Sequence, residues 1–396
     1  MQMDVSLFIS RRLRFKGNIA MISIAVSFLV MIIAVAVSSG FRHEIRAGIA
    51  SVSGDIQLMP LNMNLMNEAE PVESDASYMP YLKNVDGVES IVPVIYRAGI
   101  VKVGQDIHGV LVKGLPEGHP LHPEADSVAL AVTIPRSLSE RAGIAPGDRM
   151  LTYFVGGKVR ARQFNVIGVH DSVLETDDQL VVYADMSDMQ RLNGWMENQV
   201  SAVELMLERG RRSEESISSI TEEVGAVVYA YTDDDETAVV ASSCLSRYPQ
   251  IFDWLNLLDF NVLFILVLMT VVAGFNMISG LLIMLFENIS TIGLLKTLGM
   301  TDKAIAKVFL SSSAVLAAKG MAIGNALAII FCVIQSLTHL LKLDPENYFV
   351  SYVPVHLNLG LILTADIVSF AVILLLLLVP CLFISKVDPA DTVRVR

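Results

Sequence analysis

The chain has 396 residues, of which 53% are hydrophobic and 18% charged, a composition too apolar for one soluble globule and indicative of membrane spans. Its net charge of −12 is unevenly spread, because residues 41–256 hold 17 Lys and Arg against 32 Asp and Glu, whereas residues 1–18 have a balance of +3. An acidic middle region argues against nucleic-acid binding, which requires a basic face.

Four apolar runs are long enough to cross a bilayer, which takes about 20 residues. They lie at 19–40, 260–286, 308–341 and 357–384. The first run could also be a signal peptide, because "AVAVSSG" offers small residues near a cleavage point. Its apolar core exceeds the 7–15 residues usual for a signal peptide, which favours an uncleaved helix.

Short segments between the runs predict the orientation, because Lys and Arg favour the cytoplasmic side. Residues 1–18 carry four such residues, 287–307 carry three and the tail carries three, whereas 342–356 carry one. We therefore expect both termini in the cytoplasm of a multi-pass inner-membrane protein. The predicted segments are a cytoplasmic N-terminus (1–18), transmembrane helices (19–40, 257–286, 306–341 and 357–384), an exported periplasmic domain (41–256), a cytoplasmic coupling helix (287–305), a periplasmic loop (342–356) and a cytoplasmic tail (385–396).

The exported domain is predicted to be mixed α+β. Strands are indicated by "GDIQLM", "SIVPVIYRAGIVKV" and "DIHGVLVKGL", which alternate or run in β-branched residues. A helix in "SLSERAG" is predicted to stop at Gly143, and "YFVGGKVRARQFNVIGV" predicts a hairpin with "GG" at its tip. Two further short helices, "DMSDMQRLNG" and "EESISSITEEVG", are each predicted to end at their glycine.

Two polar clusters in this domain resemble metal sites, but ordinary structural roles are favoured for both. In "TDDDE" (232–236), Thr232 or Asp233 is placed to cap a following helix, whose dipole favours acids in its first turn. "GHPLHPE" supplies His119, His122 and Glu124, and its prolines favour a surface loop over a metal site. The three cysteines form neither a disulfide framework nor a zinc spacing.

From Ala238 onward, an apolar stripe at helical spacing predicts a helix that continues into the second span. Pro249 is expected to kink it. The alternative is an amphipathic helix that lies on the membrane surface.

The segment "FENISTIGLLKTLGM" (286–300) lies between two spans and predicts a short amphipathic helix that ends at Gly299. A helix of this kind on the cytoplasmic face can sit in the groove of a soluble partner. The candidate coupling residues are Glu287, Ile289, Ile292, Leu295, Lys296, Leu298 and Gly299.

The stretch "GFNMISGLLIMLFENISTIGLLKTLGMTDKAIAKVFL" resembles the permeases of MacB/FtsX-type ABC transporters, most of all the lipoprotein-releasing (Lol) permeases. The segments "FISRRLRFKGN", "VSSGFRHEI", "YFVSYVPVHL" and "SKVDPADTVR" match as well, so that the resemblance covers nearly the whole chain. It implies an α+β membrane protein with four transmembrane helices and a large exported domain between helices 1 and 2.

The resemblance also implies partners. They are a cytoplasmic ABC ATPase dimer on the coupling helix, a second permease of the same or a paralogous kind, lipoprotein cargo, membrane lipid and a periplasmic carrier. The sequence contains no G-x-x-x-x-G-K-[ST], so we expect no cofactor on this chain, no catalysis by it, and ATP bound by a separate subunit. Where some relatives carry an extended, Pro-rich hook that recruits the carrier, this chain has only "YFVGGKVRARQF".

Lys319 and Asp366 are charges inside apolar runs, where they are costly and usually functional. Their similar depths predict an ion pair between the third and fourth spans. The alternative is that Lys319 snorkels while Asp366 faces a polar vestibule. A proton relay is disfavoured because no further acid lies in those spans.

The leading functional hypothesis is therefore a permease subunit that couples ATP hydrolysis to the release of lipoproteins from the inner membrane by mechanotransmission. The alternatives are an FtsX-like signalling permease that regulates periplasmic partners and a MacB-like efflux permease. An exported enzyme is disfavoured, because no nucleophile–His–acid set or metal constellation stands out.

Overall fold

The computed structural model describes residues 18–61, 70–103, 106–124, 128–154, 159–171, 180–344, 348 and 350–381. Its helices are α1 (Asn18–Ser53), α2 (Met79–Leu82), α3 (Arg136–Ala142), α4 (Met186–Asn193), α5 (Glu214–Tyr231), α6 (Cys244–Arg247), α7 (Pro249–Glu287), α8 (Ile289–Thr297), α9 (Asp302–Thr338), α10 (Leu359–Leu376) and α11 (Leu378–Cys381). Its strands are β1 (Ile56–Pro60), β2 (Val72–Glu73), β3 (Val88–Val103), β4 (Asp106–Leu115), β5 (Ala131–Pro135), β6 (Arg149–Phe154), β7 (Arg160–His170), β8 (Leu180–Asp185), β9 (Gln199–Val200), β10 (Ala202–Leu207) and β11 (Val239–Ser243).

The chain divides into two compact units. We call Met1–Arg42, Trp254–Leu341 and Val353–Arg396 the helical unit, and His43–Asp253 with Lys342–Tyr352 the sheet unit. Within the described ranges, four helical segments are long and apolar enough to cross a membrane: Ile19–Ser53, Pro249–Glu287, Asp302–Thr338 and Leu359–Cys381. The α/β sheet unit is inserted between the first and second of them, which confirms the predicted fold class.

In the helical unit, α9 packs closely against α1 through two glycines four residues apart. A Cβ added at Gly324 would lie 2.4 Å from the carbonyl oxygen of Ala25, and one at Gly320 would lie 2.9 Å from Cβ of Ile24. Small residues at this spacing let membrane helices approach each other, because packing rather than the hydrophobic effect drives their association in lipid. The two glycines therefore fix the α1–α9 contact.

The sheet unit is built on one mixed sheet, which has nine strands in the described part of the chain. Their order is β11-β1-β10-β3-β4-β8-β5-β7-β6, and β2 pairs with β9 separately. The long strands β3 and β4 form a hairpin, whereas β4 and β8 run parallel. The strands predicted from "GDIQLM", "SIVPVIYRAGIVKV" and "DIHGVLVKGL" are confirmed as β1, β3 and β4.

The turn chemistry was predicted correctly at several points. Gly143 and Gly194 follow α3 and α4 with φ of 64° and 77°, the left-handed conformation that ends a helix. The predicted hairpin is formed by β6 and β7, with Phe154 opposite Arg160. Its "GG" tip lies outside the described residues.

Three predictions around residues 225–249 are wrong. Helix α5 runs through Gly225 to Tyr231, because Val224 and Val228 on either side of that glycine are both buried on one face. The stretch after Ala238 forms strand β11, whose β-branched residues pair with β1, and only then the short helix α6. Pro249 starts α7 rather than kinking it, since a proline at the first helical position loses no intrahelical hydrogen bond.

The "TDDDE" run does not cap a helix either. Thr232 is the residue that follows α5, and the carboxylates of Asp233 and Glu236 accept hydrogen bonds from Ser77. His122 contacts the carboxylate of Asp185 at 2.9 Å, and no cluster of three or more His, Cys, Asp or Glu suited to a metal ion occurs among the described residues.

The packing of Gly54, the residue that follows α1, against strand β10 can be tested by substitution. Gly54 has a φ of +66°, and an added Cβ would lie 3.0 Å from Cβ of Glu204. We expect Gly54→Ala to lower the free energy of unfolding by about 1–2 kcal/mol for the left-handed backbone alone, with a further loss from crowding. Gly143→Ala is the matched control, because its φ is +64° and nothing lies within 4 Å of the added Cβ. Denaturant unfolding in detergent measures both, and equal losses would contradict the crowding.

Candidate functional site

The short helix predicted between the second and third apolar runs is present as α8, and polar contacts fix both of its ends. The side-chain amide of Asn288 donates to the carbonyl oxygen of Met284 at 2.9 Å, just before α8 begins. After α8, Gly299 adopts a φ of +89°, and Lys296 pairs with Asp302 at 2.9 Å. Asp302 is the first residue of α9, so this ion pair joins the end of α8 to the start of the next helix.

Burial divides the predicted coupling residues into two groups. Ile292 is buried in a cluster with Ile305 and Phe309 of α9, and Leu295 packs against the same cluster. Ile289 and Leu298, in contrast, are 36% and 74% exposed. Leu294, which was not among the predicted residues, is 59% exposed. Ile292 and Leu295 therefore fix α8 to its own chain, whereas Ile289, Leu294 and Leu298 form an exposed apolar surface.

The structure does not bring Lys319 and Asp366 together. Asp366 on α10 is buried and accepts a hydrogen bond from the side-chain amide of Asn325 on α9 at 2.6 Å. Lys319 is exposed, and no ion pair between it and Asp366 occurs in the described part of the chain. Asn325 lies six residues beyond Lys319, about 9 Å along the helix and well around its circumference, so the depth estimate placed the wrong residue opposite Asp366.

A second polar contact between spans accompanies this one. The hydroxyl of Thr270 on α7 donates to the hydroxyl of Ser369 on α10 at 3.0 Å, and both side chains are buried. Ser369 lies three residues after Asp366, on the same side of the helix. Helix α10 is therefore joined by polar side chains to α9 and to α7, contacts that membrane helices use in place of the hydrophobic effect.

In the sheet unit, the last turn of α1 meets a buried charged pair. Lys113 on β4 is 1% exposed, and its ammonium lies 2.8 Å from the carboxylate of Glu204 on β10. The same ammonium donates to the carbonyl oxygens of Ser51 and Val52, at 3.3 and 2.8 Å. These carbonyls belong to the C-terminal end of α1, where helical carbonyls have no intrahelical partner and a cation is favoured.

Tyr96 on β3 completes this cluster. Its hydroxyl lies 2.9 Å from the carbonyl oxygen of Val52 and contacts the carboxylate of Glu204. Burial, together with the negative charge of Glu204, holds the pKa of Tyr96 well above its usual range, so the hydroxyl stays protonated. We call Tyr96, Lys113 and Glu204 the α1 anchor. Sequence reasoning missed it, although a lone charge within "GVLVKGL" and another within "AVELML" could have signalled it.

Two family models match the chain and together cover most of it. The model described as MacB-like periplasmic core domain matches residues 19–223, and the model described as FtsX-like permease C-terminal matches residues 263–389. The chain therefore belongs to the family of FtsX-like permeases with a MacB-like periplasmic core domain. It is an ABC transporter permease of the FtsX/MacB type and a multi-pass membrane protein.

The chain is similar to a lipoprotein-releasing system transmembrane protein, LolC, of Neisseria meningitidis serogroup B, with 22% identity over 97% of this chain and 96% of that protein. Among solved structures, it is similar to the extracellular domain of the noncanonic ABC-type transporter YknZ from Gram-positive bacteria, with 16% identity, a TM-score of 0.30, and coverage of 48% of this chain and 99% of that one. It is also similar to the periplasmic region of MacB from Actinobacillus actinomycetemcomitans, with 17% identity and a TM-score of 0.31. That match covers 50% of this chain and 91% of the MacB chain.

The α1 anchor predicts strong coupling between its charges. We expect Lys113→Met to lower the free energy of unfolding by about 3–5 kcal/mol, because the carboxylate of Glu204 is left buried without its cation. The double variant Lys113→Met with Glu204→Met removes both charges, and we expect it to recover most of that loss. Denaturant unfolding in detergent measures the cycle.

The exposed ion pair of Arg211 and Asp86, whose side chains are 50% and 78% exposed, is the control. We expect Arg211→Met to cost at most about 1 kcal/mol, because solvent screens that pair. A double anchor variant less stable than Lys113→Met alone would contradict the buried pairing.

Proposed function

We propose that this chain is the non-catalytic permease subunit of an ABC transporter, and that the exposed apolar surface of α8 receives an ATPase on a separate chain. The observation that carries the proposal is the division of α8 into two faces. Ile292 is buried in the core, whereas Leu294 and Leu298 are exposed. The Lys296–Asp302 ion pair fixes the end of the helix. Exposed apolar side chains rimmed by polar ones are typical of protein–protein contacts.

The proposed assembly follows from this docking site. Two ATPase subunits act on two permeases, with this chain's termini and α8 in the cytoplasm and the sheet unit outside an inner membrane. ATP is bound by the ATPase, and this chain needs no cofactor of its own. Helices α1 and α7 each contribute residues to both units, which supports mechanotransmission from the cytoplasmic side.

Leu298→Gln tests the docking site. We expect it to reduce copurification of the ATPase by about tenfold or more, because a large apolar side chain contributes about 1.5–3 kcal/mol when it is fully buried at a contact, and about 1.4 kcal/mol corresponds to a factor of ten. Leu340→Gln is the matched control, since Leu340 is 73% exposed and Leu298 is 74% exposed. Equal losses for both variants, or no loss for Leu298→Gln, would contradict docking at α8.

We further propose that the transported molecule is a lipoprotein, released from the inner membrane toward the outer membrane through a periplasmic carrier. The support is the similarity to the LolC protein, which extends over almost the full length of both chains. The FtsX-like and MacB-like matches favour two alternatives, a signalling permease that regulates periplasmic partners and an efflux permease.

A depletion experiment separates these functions. When the permease is depleted and membranes are fractionated, we expect outer-membrane lipoproteins to accumulate in the inner membrane. Re-expression of the unaltered chain should restore sorting, and Leu340→Gln should do so equally well. Normal sorting together with a defect in division or drug resistance would replace the cargo assignment with the signalling or efflux alternative.

A further inference from the structure

A groove lies between helix α5 and strand β11 in the sheet unit. Its volume is about 680 Å³, and residues of both elements and of the loop between them line it. Tyr229 on its wall is 92% exposed and Val240 is 37% exposed. Tyrosine is enriched at protein interfaces, because it supplies both apolar area and a polar tip.

One wall of the groove is a sheet edge that can still form hydrogen bonds. Within the described part of the chain, β11 is the outermost strand and pairs only with β1. Cys244 donates its N–H to the carbonyl oxygen of Asp55 at 2.8 Å. Because hydrogen-bonded pairs alternate in an antiparallel ladder, the backbone groups of Ser242 and Val240 face β1 as well. Those of Val239 and Ala241 consequently face away from β1, and both residues line the groove.

The groove is acidic. Glu222, Asp233, Asp234 and Glu236 line it, and no Lys or Arg is among the lining residues. Helix α5 carries three further glutamates outside the lining and neither lysine nor arginine. Asp233 and Glu236 accept hydrogen bonds from Ser77, whereas Glu222 and Asp234 are exposed. The field at the groove therefore favours a cationic partner.

We propose that this groove binds an extended, basic segment of another protein, which adds to the sheet along the free edge of β11. Addition of a strand supplies main-chain hydrogen bonds, and alternate side chains of the added strand meet the groove. A second copy of this chain is disfavoured as the occupant, because residues 41–256 carry 32 acidic against 17 basic residues. The inference rests on the fold of the sheet unit and not on the proposed transport function.

The test uses the full chain in nanodiscs of zwitterionic lipid and a fluorescent nine-residue peptide of alternating Val and Lys. Fluorescence anisotropy at low salt measures binding, with empty nanodiscs as the blank. We expect saturable binding of this peptide. We expect none for the Val–Glu analogue, whose charge is wrong, and none for an analogue with prolines that remove the main-chain donors. Equal binding of either analogue would overturn the proposal.

Matched variants locate the site. Glu222→Gln with Asp234→Asn removes two charges that line the groove, and we expect it to weaken binding by about fivefold to tenfold. Glu223→Gln with Asp235→Asn removes the same charge from neighbouring residues outside the lining, and we expect less than a twofold change. Equal weakening by both pairs would mean that only the overall charge attracts the peptide, and would overturn the proposal.

A photo-crosslinking residue in place of Tyr229 tests directly whether the peptide lies in the groove. With the Val–Lys peptide present, we expect a covalent adduct whose mass equals that of the chain plus the peptide. Adducts with lipid or with a second copy of the chain, formed at the expense of the peptide adduct, would overturn the assignment of the groove to an extended basic segment.

Discussion

Lys113 satisfies the last carbonyls of α1 from inside the sheet, and the end of that helix depends on this contact. Glu204 balances its charge, and the hydroxyl of Tyr96 contacts both the carboxylate and the helix end. A buried ion pair of this kind adds little net stability, but the loss of one partner is costly. The anchor therefore fixes where α1 ends more strongly than it stabilises the sheet. Ser51 and Val52 belong to the sheet unit, so the anchor fixes the end of α1 within that unit.

In helix α8, one face is fixed by contacts within the chain and the other face is exposed. Ile292 in the core and the Lys296–Asp302 pair fix the helix, and this leaves Leu294 and Leu298 in a defined position on the surface. A docking surface benefits from such preorganisation, because less conformational entropy is lost on binding. The polar contacts of Asp366 with Asn325 and of Ser369 with Thr270 serve the spans similarly, since they fix which faces of α7, α9 and α10 meet.

Local patterns were sufficient to predict the spans, the long strands and the glycine-ended helices α3 and α4. The length of an apolar run, the alternation of β-branched residues and a glycine after a helix are all local patterns. Each depends on neighbours in the chain, so each can be recognised in the sequence. The same reasoning failed at Gly225 and at residues 239–243. There, packing against residues distant in the chain outweighed local preference, because Gly225 faces Ala241 and β11 is completed by β1.

The sequence by itself determined the class of the protein, because four long apolar runs and an extended resemblance around residues 275–300 require no knowledge of contacts. Only the tertiary structure decided which of the predicted coupling residues are exposed and that Asp366 meets Asn325 rather than Lys319. It also decided that Lys113 and Glu204, 91 residues apart, form one buried cluster. The physical reason is common to these cases: the partner of a side chain depends on how helices and strands face one another, and spacing along one element does not specify that.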